Sequence, residues 1–320
     1  MKLEDIGFYT LSDKRARNVS ATSPMMRCEM VLTDRCNFCC PYCRGVRKSC
    51  RGDMPVENAK RAIEIWCEDG LQNIRFSGGE PALYPHLNEL VKFAKSRGVR
   101  RIALSTNGSY PEDLYQRLID DGVDDFSISL DACCASGTDR MTGKEGHHDR
   151  ITENIRKIAS RVYVTTGIVL TDDNVADTSN IVRFAHDLGV ADIRIISAAQ
   201  YNKLLTAFIS LEDDILDSHP ILKYRVRHFI EGRNVRGVSE NGCRKCHLVK
   251  DDSMIAGDYH FPCIIHFREG GDAIGKVGKN MRQERMEWFE THDSYLDPIC
   301  RANCLDVCVD YNTKCDKICS

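Results

Sequence analysis

Cys36, Cys40 and Cys43 stand in the run Thr-Asp-Arg-Cys-Asn-Phe-Cys-Cys-Pro-Tyr-Cys, spaced C-x3-C-x2-C. Three thiolates so close in one loop can hold three irons of a [4Fe–4S] cluster, for which cysteine is the usual ligand. The fourth iron then stays open to a substrate or cofactor, whereas a cluster that only carries electrons normally has four protein ligands. Cys39 lies inside the motif, but its use would break the spacing, and it is expected to be packed or free. The competing chemistry for such a loop is a zinc site or a redox cysteine group, because short motifs recur.

A second group lies toward the C-terminus. Cys243, Cys246 and Cys263 read C-x2-C-x16-C, and Cys300, Cys304, Cys308, Cys315 and Cys319 follow. Eight cysteines are enough for two further clusters. The same C-x2-C spacing with a later pair also suits zinc, with His247 and His266 as further ligands. Cys133 and Cys134 form a third feature, directly after Asp131. Cys134 is the candidate to hand a hydrogen atom to a product radical; the alternative for both is buried packing. Cys28, Cys50 and Cys67 receive no role.

Seventeen cysteines in a short secreted chain would mean disulfides, but this chain has 320 residues and groups its cysteines at metal-ligand spacings. The N-terminal stretch is too polar for a signal peptide, and no run approaches the roughly 18 apolar residues of a spanning helix. These features predict a cytoplasmic protein with reduced, metal-holding thiolates and no membrane contact. A net charge of −3 argues against extended nucleic-acid binding. One segment departs from that average: Lys223, Arg225, Arg227, Arg233, Arg236, Arg244, Lys245 and Lys250 face only Glu231 and Glu240. A solvated face is the ordinary reading of such a run, and a site for an anionic substrate is the sharper one.

The elements that position these residues alternate. Strands are expected at Glu29 to Leu32, Asn73 to Ser77, Arg101 to Ser105, Phe126 to Leu130, Val162 to Leu170 and Asp192 to Ile196. Between them lie helical periods: Ala59, Ile63, Trp66 and Cys67 before Gly70, Leu87 to Ala94 before Gly98, and Leu114 with Leu118 before Gly122. Asp177 is expected to cap a helix carrying Ile181, Phe184, Ala185 and Leu188. Right-handed crossovers wind such βα units into a partial (β/α)6 parallel barrel, an α/β fold with its chemistry at the C-terminal strand ends. The rhythm fades after about residue 200. The expected organisation is an N-terminal segment over 1–28, a barrel over 29–220 and a small irregular cysteine-rich extension over 221–320.

The strand ends carry the supporting residues. Ser77, Gly78, Gly79, Glu80 and Pro81 follow the second strand, where glycines let backbone groups approach a ligand. Ser105, Thr106, Asn107 and Gly108 end the third, Ser127, Ser129 and Asp131 lie on or after the fourth, and Gly167 lies in the fifth. Strand-end capping is the ordinary alternative for any one of them.

With the C-x3-C-x2-C loop after the first strand, Tyr42 before its last cysteine and the Gly-Gly-Glu-Pro element, the chain resembles the radical S-adenosylmethionine superfamily over about Glu29 to Ile196. The resemblance implies a Cys36/Cys40/Cys43 cluster whose open iron chelates S-adenosylmethionine. It also implies reductive cleavage to a 5′-deoxyadenosyl radical that abstracts hydrogen from a substrate, with the electron coming from a flavodoxin- or ferredoxin-like donor. It further implies that Gly78, Gly79 and Glu80 meet the methionine amino group, that Ser105, Asn107 and Ser129 contact the ribose or carboxylate, and that Gly167 lies along adenine. Cys243, Cys246 and Cys263 resemble the SPASM or Twitch auxiliary-cluster domains, with Cys304 or a neighbour completing one auxiliary [4Fe–4S] cluster. The final C-x3-C-x3-C-x6-C-x3-C run departs from the SPASM spacing, which leaves a second auxiliary cluster open.

Two substrate classes follow. An anionic small molecule, a nucleotide or sugar derivative, suits the basic segment, and the Thr-Asp-Arg-Cys-Asn-Phe run resembles the molybdenum-cofactor cyclases, although the chain ends Lys-Ile-Cys-Ser where that family has a glycine-rich tail. A ribosomally made peptide is the alternative, but the residues before the first strand are too few for the leader-binding domain that many peptide maturases carry. A non-catalytic iron–sulfur or zinc scaffold is the reading from a different class.

Overall fold

Runs of five to eight residues in which apolar and polar residues mix or alternate between polar loops have room for strands but not for helices, and the chain uses them so. A computed structural model describes residues 13–45, 50–198 and 211–319. In chain order these form α1 (Asp13–Asn18), β1 (Arg27–Val31), α2 (Val56–Glu68), β2 (Asn73–Ser77), α3 (Leu87–Ser96) and β3 (Arg101–Thr106). There follow α4 (Glu112–Asp121), β4 (Asp125–Ser129), α5 (Ala135–Thr142), α6 (His148–Ala159), β5 (Tyr163–Leu170), α7 (Thr178–Asp187) and β6 (Asp192–Ser197). The chain continues through α8 (Asp213–Ser218), α9 (Pro220–Ile230), β7 (Asp252–Ala256), β8 (Tyr259–Phe261), α10 (Ile264–Arg268) and β9 (Gly275–Lys276). It ends in α11 (Met281–Thr291), α12 (Pro298–Asn303) and α13 (Asp306–Cys319). The fold is α/β, a partial (β/α)6 barrel of parallel strands with a cysteine-rich extension. No helix among the described residues is long and apolar enough to cross a membrane.

The chain forms two compact units. The first comprises Met1–Arg35, Arg44–Ala103 and Arg236–Ser320; the second comprises Cys36–Cys43 and Leu104–Val235. In the first, β1 is paired in parallel on both edges, with Val31 opposite Ser77 of β2 on one side and opposite Ala256 of β7 on the other. β7, β8 and β9 then run antiparallel. The strand β7 is not legible in the hydrophobic pattern, because Asp-Ser-Met-Ile-Ala opens with two polar residues. Both are buried, and Asp252 meets Arg27, its register partner on β1, at 2.8 Å. A cross-strand ion pair here takes the place of an apolar contact. Arg15 likewise pairs with buried Asp251 at 2.6 Å, and Tyr311 donates to the same carboxylate.

Arg285 on α11 is fully buried and forms no ion pair among the described residues; its guanidinium donates to the carbonyls of Val249, Asp252, Phe261 and Pro262. Burial without a bonded anion pulls its pKa down to about 10, so it stays charged at neutral pH. One side chain thus ties the turn before β7, β7 itself and the exit from β8.

In the second unit β4, β5 and β6 are parallel and in register. The β4 to β5 connection holds two helices, α5 and α6, where the βα rhythm suggests one. Gly98 (φ 83°) and Gly122 (φ 118°) end α3 and α4 in the left-handed region, as their positions predict. Asp177 does not cap α7 through its side chain. A 3₁₀ turn at Val175–Asp177 runs straight into the helix and gives Asp177 φ −95°, ψ 5°, not the extended backbone that aims an N-cap oxygen at the first turn.

Asp192 caps instead where the sequence shows no cap. From the start of β6 its carboxylate accepts from the amides of Ile221 and Leu222 at 3.1 and 3.4 Å, so it satisfies the first turn of α9 from another element. Asp192→Ala is expected to cost about 1–3 kcal/mol of stability, because it leaves buried helix-end amides unpaired; the thermal midpoint checks this.

His260 on β8 is fully buried, with Nε2 2.8 Å from Glu284 Oε2, and burial followed by the nearby Arg285 charge pushes its pKa from 6.5 down to about 3. Below about pH 6.5 the unfolded chain takes up a proton that the folded chain does not. This contribution is therefore complete above that pH and is lost as pH falls toward 3. The slope is at most about 1.4 kcal/mol per pH unit, and thermal midpoints between pH 6.5 and 5 should fall more steeply in wild type than in His260→Gln.

Candidate functional site

In the first unit the loop leaving β1 is held against the turn that leaves β2. Gly79 N donates to Thr33 O at 2.7 Å and Glu80 N to Arg35 O at 2.8 Å. A Cβ on Gly78 would lie 2.6 Å from Thr33 O, and one on Gly79 would lie 2.8 Å from Asp34 O, closer than real side chains come. The two glycines are thus required by the chain's own backbone, a reason the sequence reading, which looked to a ligand, did not contain. Glu80 is 1% exposed, and its carboxylate accepts from Ala82 N at 3.0 Å. Arg35 pairs with Asp53, which also accepts from Thr33, and Arg268 donates to Gly78 O at 3.0 Å.

Arg35 is followed by the cysteine loop, which belongs to the second unit. Asn37 Nδ2 donates to Ser109 Oγ at 2.8 Å, and Asn107 Nδ2 donates to Asn37 Oδ1 at 2.8 Å. Asn107 Oδ1 accepts from Ser109 N and Oγ, and its Nδ2 lies 4.0 Å from Cys36 Sγ. Asn107 therefore positions the loop from the end of β3. Cys39 N donates to Thr142 O at 2.8 Å, and Gly143 packs on the Cys39 backbone. Tyr42 donates to Asp131, whose other oxygen accepts from Val169 N at 2.7 Å, so an aromatic in the motif is pinned to the ends of β4 and β5. Burial pushes Asp131 up to about 6 against the pull of both bonds. The sequence named Asp131 and Tyr42 but not their pairing; Asn37 and Ser109 were missed, their only signal being adjacency to Cys36 and Asn107.

Cys36 and Cys43 are exposed and Cys40 is half-buried. Burial pushes the Cys40 thiol up to about 12, with Asp131, Cys43 and Cys36 adding to it. Cys36 Sγ accepts from Phe38 N at 3.4 Å, a contact suited to a sulfur carrying negative charge. The set fits a [4Fe–4S] cluster with three protein ligands.

Farther along the second unit, Ser129 faces Gly167 across β4 and β5, and Gly167 faces Arg194 across β5 and β6. A Cβ on Gly167 would lie 3.4 Å from the Arg194 guanidinium, which donates to Ser127 Oγ at 3.2 Å. Ser129 is exposed and Ser105 is half-buried. Cys133 is half-buried, whereas Cys134 is exposed with Sγ 3.6 Å from Ser136 Oγ, not packed in a core.

In the first unit a small cavity of about 30 Å³ is lined by Cys243, Cys246, Cys263, Cys300, Cys304 and Cys308. Burial first, then one another's proximity, pushes the thiols of Cys246, Cys263 and Cys300 upward, and Cys304 is hydrogen-bonded to Cys308. The spacing C-x3-C-x3-C converges because α12 stops at Asn303 and Cys304 turns extended (φ −55°, ψ 132°) before α13 starts. Cys263 occupies the N-cap position of α10 and accepts from His266 N at 3.4 Å. His266 bonds Asp297, and His292 lies 3.6 Å from Cys300 Sγ. Cys315 is fully buried, 3.9 Å from Ala16 O, outside this group; the Cys319 side chain lies outside the described residues. No disulfide joins any of the described cysteines.

The basic run is engaged inside each unit. Lys223 pairs with Asp217, Arg227 with Glu231 and Arg244 with Asp293; Lys245 donates to the carbonyls of Phe289 and Glu290, and Arg225 and Arg236 are buried. This is the solvated, paired surface that such runs ordinarily form.

The sequence profile of the Radical SAM superfamily matches residues 30–185. A probable GTP 3′,8-cyclase of Metallosphaera sedula is 27% identical over 177 residues, 54% of this chain and 56% of that relative, so the chain spans little more than half its length. A second, of Methanocaldococcus jannaschii, is 22% identical over 285 residues, 83% of this chain and 94% of the relative. Among solved structures, Streptococcus suis SuiB bound to S-adenosylmethionine superposes with a TM-score of 0.60 at 13% identity, covering 84% of this chain and 66% of that one; at that identity the likeness concerns the fold.

The Cys36→Ala/Cys40→Ala/Cys43→Ala variant is expected to lose about four irons per chain after anaerobic reconstitution, while Cys39→Ser keeps them. Iron and sulfide analysis reads both.

Proposed function

Because the chain belongs to the radical SAM superfamily, whose members bind a [4Fe–4S] cluster and S-adenosylmethionine, we propose that it acts on an anionic small molecule of the nucleotide class. We also assign the C-terminal cavity to one auxiliary [4Fe–4S] cluster. The observation that carries the substrate class is the similarity to GTP 3′,8-cyclases, which at 83% coverage of the chain extends into the cysteine-rich region. The basic run no longer contributes to it.

Cys36, Cys40 and Cys43 hold the first cluster, and the Asn37, Ser109 and Asn107 bonds together with Tyr42 on Asp131 hold their loop still. When bound and reduced, the cluster and S-adenosylmethionine supply a 5′-deoxyadenosyl radical that takes a hydrogen atom from the substrate. The row Ser129, Gly167 and Arg194 offers a hydroxyl, a gap without side chain and a cation at one register, a surface suited to a nucleoside. Cys134, exposed, is the candidate to return a hydrogen atom. Four of the five grouped cavity sulfurs, those of Cys246, Cys263, Cys300, Cys304 and Cys308, complete the auxiliary cluster. Full thiolate ligation would suit it to take an electron from a product radical in place of that hydrogen transfer, with a proton leaving to solvent. The reductant is a flavodoxin- or ferredoxin-like donor in the reducing cytoplasm.

The test is 5′-deoxyadenosine release by reduced, reconstituted protein. Cys40→Ala is expected to abolish it, and purine nucleoside triphosphates are expected to raise it at least several-fold over the substrate-free rate. Release that only a peptide stimulates would overturn the substrate class; the absence of release from wild type would overturn the enzyme. Cys263→Ala/Cys300→Ala/Cys304→Ala should lose about four irons of its own and retain the cleavage.

A further inference from the structure

Cys243 borders the cysteine cavity, yet its sulfur keeps different company from that of Cys246 three residues on. One ligand atom each from Cys243, His247 and Asp316 lie within 4.8 Å of one another. We infer that these three residues form a separate site for one divalent transition-metal ion of the zinc class. A thiolate, an imidazole and a carboxylate are the mixed soft and borderline donors that zinc takes in tetrahedral sites, at about 2.3 Å from sulfur and about 2.0–2.2 Å from nitrogen or oxygen. Closing the present spacing to those distances needs only small side-chain movement. This site goes beyond the proposed function and does not rest on it.

The backbone around the three residues is already fixed. Asn312 and Asp316 stand one turn apart on α13 and both face the 3₁₀ turn His247–Lys250. Asn312 Oδ1 accepts from Leu248 N at 3.3 Å, and Asp316 Oδ1 meets His247 Nε2 at 2.7 Å. The imidazole is 5% exposed and packs edge-on against Phe289 at 5.2 Å. The ring nitrogen turned to Asp316 is Nε2, so Nε2 is the atom offered to an ion, while Nδ1 is buried without a hydrogen-bond partner among the described residues. Asp316 is half-exposed and Cys243 half-buried, so an ion can enter and a water can take the fourth position. The Cys243 thiol donates to Lys245 O at 3.0 Å, with the Asp316 carboxylate within 4.8 Å of the same sulfur, so a cation placed there would face two groups that can each carry negative charge.

The assignment moves Cys243 out of the auxiliary cluster, where its C-x2-C spacing with Cys246 had put it, and makes the ion a tie between α13 and the turn that carries Cys246. The cavity still keeps five sulfurs.

The experiment uses the full chain, reconstituted anaerobically with iron and sulfide, then loaded with zinc or cobalt(II) and challenged with a chelator. Wild type is expected to keep about one zinc per chain, with a thiolate-to-cobalt absorption band in the cobalt form. Cys243→Ser should lose that band, and Asp316→Asn, the mild change at the half-exposed ligand, should weaken zinc retention by about tenfold or more. Both variants should keep their iron. Loss of about four irons in Cys243→Ser would make Cys243 a cluster ligand and overturn the assignment. So would zinc retention that Asp316→Asn leaves unchanged, or a wild type that keeps no zinc. Wild type with zinc but without iron would instead overturn the cluster reading and leave this site standing.

Discussion

Everything in the first unit hangs on β1 being hydrogen-bonded along both of its edges. Val31 lies opposite Ser77 on one side and Ala256 on the other, so the ends of β2 and β7 are set level with the end of β1 by ladder geometry alone. The Gly78-Gly79 turn can then close on Thr33–Arg35, because three strand ends at one height leave the two loops no room for side chains between them. The cysteine loop starts one residue later. A change that slipped β1 by one residue would turn its buried face outward and break the fit of Thr33–Arg35 on the Gly78-Gly79 turn.

The extension that supplies β7 is held by charge as well as by apolar contact, the latter from Met254, Ala256, Phe261 and Phe267 packed with Val31. Arg285 has four carbonyls and no bonded anion, Arg27 pairs with Asp252 across the strands, and Arg15 pairs with Asp251. Each buried unpaired polar group costs about 1–3 kcal/mol, so removing the Arg285 guanidinium would strand several at once. A buried ion pair adds little net stability over an apolar pair, but breaking one is costly. These contacts therefore act less as a reserve of stability than as a filter on register: only the observed pairing satisfies them together. They also bracket Cys246 and Cys263, which need fixed places if their sulfurs are to converge.

This explains what could be read in the chain and what could not. All six barrel strands were visible because short stretches of alternating or β-branched and aromatic residues lie between glycine-stopped helices, and α3 and α4 end where Gly98 and Gly122 turn left-handed. β7 was hidden because buried Asp252 and Ser253 look like loop residues, and Asp192 was hidden as a cap because it serves a helix 28 residues away. The three-cysteine loop was legible from spacing, since few conformations of so short a segment keep three sulfurs apart. The C-terminal cysteines were legible as a group but not in their division. A C-x2-C spacing does not say which way each sulfur points, and here Cys243 and Cys246 turn to different neighbours. Conversely, C-x3-C-x3-C looks wrong for convergence until α12 breaks at Cys304.

The count of neighbouring sulfurs separates the two iron sites chemically. The loop carries three, two of them exposed, which would leave one iron of a cubane without a protein ligand and open to an incoming amino and carboxylate group. The cavity brings together five besides Cys243 on its border, which exceeds the four a cubane can use, so on the proposed reading no iron there is left for a substrate to bind. Such a cluster can still exchange electrons, and a buried one among apolar residues and histidines is shielded from water while it does so. The chain thus has the means for a net oxidation: one cluster that starts a radical and one that could end it by taking an electron. An auxiliary cluster that bound substrate directly would need one of Cys246, Cys263, Cys300, Cys304 and Cys308 to be withdrawn with a second of them, and their mutual proximity gives no reason for two to leave.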